Sequence, residues 1–171
     1  MKLGEMKPGS KFENELGVFI VLGHDEGKTK VITEKLYCEY VRFGGTCNYM
    51  ESDLKRMFDE KIAPEFEKVF GDYLVEHEVD LVSVDMQQYG EFECKVRPMT
   101  FDEAREFNEL IVNKELPDWW WTCTPWSTKE RGWKYSVAVV SPSGGIYLNN
   151  YDISRNGVRP FCILDSDIFV S

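Results

Sequence analysis

The sequence predicts an α+β fold: one compact domain in which two main helices accompany a twisted antiparallel sheet. Three observations carry that expectation. Short β-branched runs are separated by turn clusters, two helix entries carry explicit N-cap chemistry, and side chains in the final third alternate with the period of a strand. A chain of 171 residues with 43% apolar content supports one core, and residues 1–171 are read as a single domain.

The first element is a hairpin. Val18-Phe19-Ile20-Val21-Leu22 is apolar and β-branched, Gly23-His24-Asp25-Glu26-Gly27 supplies turn residues, and Lys30-Val31-Ile32-Thr33 resumes strand character. With the loop Gly44-Gly45-Thr46-Cys47-Asn48 it makes up an N-terminal section, 1–50. Ser52 is placed to cap a helix starting at Asp53, because its hydroxyl can accept one of the orphan N–H groups of the first turn. Leu54, Met57, Phe58 and Ile62 then recur at helical spacing. Pro64 is expected to interrupt that helix, with Phe66, Val69 and Phe70 forming a second short turn. Val79 to Val84 reads as strand. Thr100-Phe101-Asp102-Glu103 matches a capping box, and Ala104, Phe107, Leu110 and Ile111 give the buried face of the helix behind it.

After Pro117 the texture changes. Trp119-Trp120-Trp121 opens a strand, with Trp119 and Trp121 on one face and Trp120 on the other. Trp133, Tyr135, Val137 and Val139 alternate with Lys134, Ser136, Ala138 and Val140, the pattern of a sheet with two unequal faces. Ser141 to Gly145 is a turn cluster, Ile146-Tyr147-Leu148 returns, Asn149-Asn150 turns again, and Gly157 to Leu164 closes the section 116–171 as one Trp-rich sheet module.

Charge divides the chain differently. Residues 51–115 hold 18 acids against eight bases, while the flanking sections balance at seven of each and five of each, so the middle section carries the whole net charge of −10. Such a field repels nucleic acid and attracts basic partners; its simplest reading is a pair of well-solvated helices. No run approaches the roughly 18 apolar residues of a membrane helix, and Met1 to Lys7 lacks the apolar stretch of a secretory signal. The cytoplasm is the expected compartment. Cys38, Cys47, Cys94, Cys123 and Cys162 contain no Cys-x-x-Cys pair, and the only histidines are His24 and His77. Reduced, buried thiols without metal, disulfide or cofactor are expected.

Several blocks together resemble a known family. Trp120-Trp121-Thr122-Cys123-Thr124-Pro125, the stretch from Val139 to Ile146, and Gly157-Val158-Arg159-Pro160 are similar to the Trp-Trp-Leu-Arg-Ser-Pro block, the Val-x-x-x-Gly-x-Ile hairpin and the terminal Gly-Val-Arg-Pro strand of an uncharacterised domain family of Gram-positive bacteria and their phages. Asn48 to Lys55 and Met99 to Phe107 resemble its two helix entries. Cys123 stands where the block has Arg, and Thr122 where it has Leu. The resemblance implies a C-type-lectin-like fold, related to that of formylglycine-generating enzymes and phage receptor-binding domains. It implies no particular activity, and it adds a virion component as a second possible location.

The ligand-binding candidates are Trp126, Arg159, Asn150, Trp120 and Asn156. Trp126 lies beyond its strand, beside Pro125 and Ser127, and is the indole best placed to line a groove. Arg159 sits in an apolar strand. Either it locks that strand by pairing with a carboxylate or carbonyls or by stacking on a Trp, or it anchors an anion in a cleft. Asn150 and Asn156 suit a polar recognition loop or a plain turn. No Walker loop, dinucleotide fingerprint or nucleophile–base spacing is present. The expected function is therefore a non-enzymatic recognition domain, phage-associated, for a protein or small-molecule partner. The alternative is a phage-encoded inhibitor of host defence, acting through an acidic decoy surface or by sequestering a nucleotide-like molecule. An oxidase or hydrolase built on Cys123 and Cys162 ranks last.

Overall fold

A computed structural model describes residues 1–171. A short turn, Leu3–Glu5, precedes β1 (Lys11–Asn14), β2 (Gly17–Asp25) and β3 (Lys28–Thr33). A long loop leads through the turn Tyr49–Glu51 into α1 (Asp53–Met57), a π turn (Phe58–Ile62) and α2 (Ala63–Phe70). Then come β4 (His77–Val82), β5 (Gln88–Cys94), β6 (Val96–Arg97), α3 (Phe101–Glu106) and α4 (Asn108–Ile111). The chain finishes with β7 (Trp120–Pro125), β8 (Ser136–Val140), β9 (Ile146–Asn150) and β10 (Phe161–Asp165). This is an α+β fold with three antiparallel sheets, ordered β1-β2-β3-β10-β6, β4-β5 and β7-β8-β9. No helix is long and apolar enough to cross a membrane.

The central strands β2, β3, β7, β8 and β10 carry long buried runs because both of their faces are covered. Phe19, Val21, Val31, Trp121, Cys123, Val137, Val139, Cys162 and Leu164 point into one core cluster, closed by Leu54, Phe58, Ile62, Phe66 and Phe70 of the first helix. Their neighbours Ile20, Leu22, Ile32, Trp120, Val140 and Phe161 point into a second cluster with Ala104 and Ile111 of α3 and α4. Alternation along these central strands thus feeds two cores rather than a core and a solvent face. The three-Trp run obeys the same rule: Trp121 lies in one core and Trp120 in the other.

Five expectations need correction. The sheet is three sheets, and of the expected closing strand only Gly157, which bridges Trp120, stays with the Trp module. β10 pairs with β3 and β6, so the C-terminus completes the N-terminal sheet. Pro64 does not stop the first helix. Its ring would press on the carbonyl four residues back, and the π turn beneath it relieves that contact: the Ala63 N–H reaches the Phe58 carbonyl instead. Trp133 and Tyr135 precede β8 and are exposed, while all five residues of β8 are buried. Asn149 and Asn150 are strand, facing Val137 and Ser136. The acidic section is not only helical, since β4 and β5 form a ribbon within it.

Both N-cap signals are realised. The Ser52 hydroxyl accepts the Lys55 N–H at 3.0 Å. At Thr100 the hydroxyl accepts from the Glu103 N–H at 3.1 Å, while the Glu103 carboxylate accepts the Thr100 N–H at 2.9 Å.

Candidate functional site

An open recess of about 360 Å³ is lined by Val84, Asp85, Trp126, Ser127, Arg131 and Trp133. Two distant segments make it. The tip of the β4–β5 ribbon turns at Met86, whose φ is +67°, with the Met86 N–H donating to the Ser83 carbonyl at 2.9 Å. The β7–β8 register shifts between Trp121 and Pro125, and the loop leaves the sheet after Pro125, which still faces Val137. The Val84 N–H then bonds the Pro125 carbonyl at 3.0 Å, and the Trp126 N–H bonds the Ser136 carbonyl at 3.0 Å. A turn through Gly132 (φ +78°) brings the Trp133 N–H back to the Thr128 carbonyl at 3.0 Å. Trp126 is half-buried and Trp133 is 51% exposed, so both indoles can meet a ligand.

Asp85 is the charged element of the recess. The Ser127 hydroxyl donates to its Oδ2 at 2.6 Å, and the Ser83 hydroxyl donates to Oδ1. These two bonds, Ser127 first, hold the carboxyl below the usual carboxylate range, helped by the Arg131 charge. Asp85 is therefore a fixed anion at neutral pH. Arg131 Nε stands 3.9 Å from Oδ2, outside hydrogen-bond range, with its side chain 55% exposed. That is a loose, solvent-screened contact.

Of the sequence candidates, only Trp126 enters this recess. Trp120 is wholly buried in the second core. Arg159 is also wholly buried: its guanidinium donates to the carbonyls of Thr33 (2.7 Å), Ile111 (2.6 Å) and Glu34 (3.1 Å) and lies 5.2 Å over the Trp120 ring. It ties β3, α4 and the last strand together and has no face left for an anion. Asn156 is buried with its Nδ2 unpaired. Asn150 is exposed at the end of β9, where its side chain accepts the Asp152 N–H at 3.2 Å. The sequence reading missed Asp85, Arg131 and Ser127, because no local pattern links positions 42 residues apart.

No protein-family model matches the chain, and no curated protein or solved structure matches it either.

A second polar cluster lies inside the molecule. Arg97 makes a two-pronged bond to Glu103, at 2.6 and 2.9 Å, and its Nε donates to His77 Nε2 at 3.0 Å. His77 Nδ1 faces the Val75 carbonyl at 3.0 Å, which can only accept, so Nδ1 carries the proton and the ring is neutral. Burial, then the Arg97 charge, lowers the His77 pKa to about 4. Burial opposes ionisation of Arg97 and Glu103 too, but their mutual bonds outweigh it, raising the one and lowering the other. With Arg97 4.4 Å over the Phe161 ring, the cluster joins β6, α3 and β10, which is a structural task.

The thiols are not poised for chemistry. Burial pushes Cys94 up to about 11 and Cys123 up to about 12, and raises Cys162 as well. No three His, Cys, Asp or Glu side chains converge in a metal-binding arrangement.

Four of the acids of section 51–115 share the outer face of the β4–β5 ribbon. Glu78 sits opposite Glu93 and Asp80 opposite Glu91, all four exposed. Like charges placed directly across a ladder are destabilising. Hydrogen bonding to and repulsion by Glu78 raise the Glu91 pKa, and Glu76 does the same to Glu93.

Proposed function

We propose that the protein is a non-enzymatic recognition domain that takes a cationic side chain of a partner protein into the recess between Trp126 and Trp133, against Asp85. The observation that carries this reading is the fixation of Asp85. Both carboxylate oxygens are held by serine hydroxyls from separate segments, which orients a permanent negative charge beside two accessible indoles. Indole faces attract ammonium and guanidinium groups, and a neighbouring carboxylate completes the complementarity. The net charge of −10 steers basic partners toward the surface and disfavours nucleic acid. The resemblance to a C-type-lectin-like, phage-associated family fits a recognition role, in the cytoplasm of the host cell or on a virion.

Titration with a short Lys-rich peptide, followed by tryptophan fluorescence, tests the reading. Saturable quenching or shift that disappears with the fully acetylated peptide is the expected result. An equal response to both peptides removes the cationic ligand from the reading.

The acidic ladder favours a second reading, an inhibitor that masks the basic surface of a host defence protein. Glu78, Asp80, Glu91 and Glu93 repel one another on the free protein, and a basic surface laid over them removes that repulsion. Replacing all four by their amides should abolish capture of such a partner while leaving the Trp126 recess intact.

A further inference from the structure

We propose that the recess between the end of the β2–β3 hairpin and the end of α3 binds a small zwitterion carrying one carboxylate and one ammonium, the class of the free amino acids. This recess is separate from the one at Trp126. It offers about 330 Å³, the lower end of the roughly 300–1,000 Å³ of small-molecule sites.

The strand register builds it. Ile20, Leu22 and Ile32 point into the second core. Beyond them the β2–β3 pairing shifts at a bulge between Val21 and Gly23, after which Gly23 faces Lys30 and Asp25 faces Lys28. Residues opposite one another on a ladder share a face, and Lys28, Lys30 and Ile32 alternate onto one side of β3. The same side of the sheet thus changes from apolar to charged within one strand. Gly23 puts no side chain there and so leaves a gap, walled by Ile163 of β10 and by Phe107, which follows α3. His24 has both ring nitrogens engaged. Its Nε2 donates to the Met6 carbonyl at 2.6 Å, and its Nδ1 faces the Thr29 hydroxyl at 2.7 Å.

Four charged side chains line the gap, Lys28 and Lys30 against Asp25 and Glu106. None of the four belongs to an ion pair. The half-buried Lys30 holds its ammonium over the Phe107 ring, 5.7 Å from the centroid. That attraction positions the cation without using its N–H donors. Two cations and two anions that do not close on each other present opposite poles to one space. A plain anion meets Asp25 and Glu106 there, and a plain cation meets Lys28 and Lys30. A molecule with both charges finds a partner for each. Phe107 and Ile163 supply an apolar wall for the rest of it. Lys28, Asp25 and Glu106 are exposed, so solvent screening keeps the affinity modest.

An NMR titration of the isotope-labelled full chain with leucine, chosen for the apolar wall, tests the proposal beside two analogues. Isocaproate lacks the ammonium, and isoamylamine lacks the carboxylate. Leucine should shift the Gly23 and Lys30 amide signals saturably while those of Asp85 and Trp126 stay in place. Each analogue should bind roughly tenfold more weakly or worse. Lys30→Met, which keeps an unbranched chain beside Phe107, and Glu106→Gln, at an exposed position, should each weaken leucine binding by a similar factor. Gly23→Val should abolish it by filling the gap. A Cβ at Gly23 lies 3.8 Å from Phe107, an ordinary van der Waals contact, so the strand accepts a side chain there. Circular dichroism confirms that each variant is folded. The absence of saturable shifts with leucine overturns the proposal. So does either analogue binding as tightly as leucine, since such a site reads one charge only. Leucine binding that is unaffected by both Lys30→Met and Glu106→Gln overturns it as well.

Discussion

The Ser127 hydroxyl donates to Asp85 Oδ2 at 2.6 Å, and this contact joins the loop after β7 to the tip of the β4–β5 ribbon. It brings Trp126 beside a carboxylate that Ser83 holds from the other side. Ser127→Ala should therefore raise the Asp85 pKa toward the ordinary carboxylate range, since the larger of the two stabilising hydrogen bonds is lost. A carboxyl-carbon NMR titration reads this directly. An unchanged Asp85 titration would show that the serine is not what holds the charge.

Arg159 is a buried cation compensated by three carbonyls and an indole face rather than by a carboxylate. Burial lowers its pKa to about 10, so it stays charged at neutral pH. Arg159→Met takes a donor from all three carbonyls, of which that of Glu34 keeps the Asn113 amide, and should cost roughly 3–5 kcal/mol in urea denaturation. Arg159→Lys should recover only part of the loss, because one ammonium cannot span the fork.

His77 makes stability depend on pH. Its folded pKa of about 4 lies below its ordinary value of 6.5. Between those values the unfolded chain takes up a proton that the folded chain refuses. The contribution is fully present above about pH 6.5 and is lost as pH falls toward 4, amounting to about 3 kcal/mol. Urea midpoints measured from pH 7.5 to 4 should fall across that window. In His77→Gln, which keeps an acceptor for Arg97 Nε, the slope should flatten.

Glu78→Gln combined with Glu93→Gln removes one like-charged cross-strand pair. The melting temperature should rise at low ionic strength, and the gain should shrink in high salt. A decrease at low salt would mean that the ladder is held by some attraction the pairing does not reveal.

Much of the fold was legible where the cause is local. The β2–β3 hairpin, the caps at Ser52 and Thr100, and the division of Trp120 and Trp121 between two faces all follow from spacing and short-range hydrogen bonds. What was not legible depends on distant partners. β10 leaves the Trp module because β3 and β6 offer it edges, which no pattern within Gly157 to Leu164 encodes. Pro64 reads as a breaker until the π turn below it is seen. Arg159 allowed two readings, a lock or an anion anchor, and only the depth of its burial separates them. Of the candidate site, Trp126 could be named from its position beyond a strand. Asp85, an ordinary turn acid in the sequence, gains its role from Ser127.

The measurement closest to the central claim is a calorimetric comparison of one Lys-rich peptide binding to wild type, Asp85→Asn and Arg131→Ala. Asp85→Asn should weaken binding roughly tenfold, because the fixed anion is gone. Arg131→Ala should tighten it, because the loosely held guanidinium 3.9 Å from Asp85 competes with the incoming cation. If Asp85→Asn has no effect, or if Arg131→Ala abolishes binding instead of strengthening it, the recess does not recognise a cation and the account is wrong.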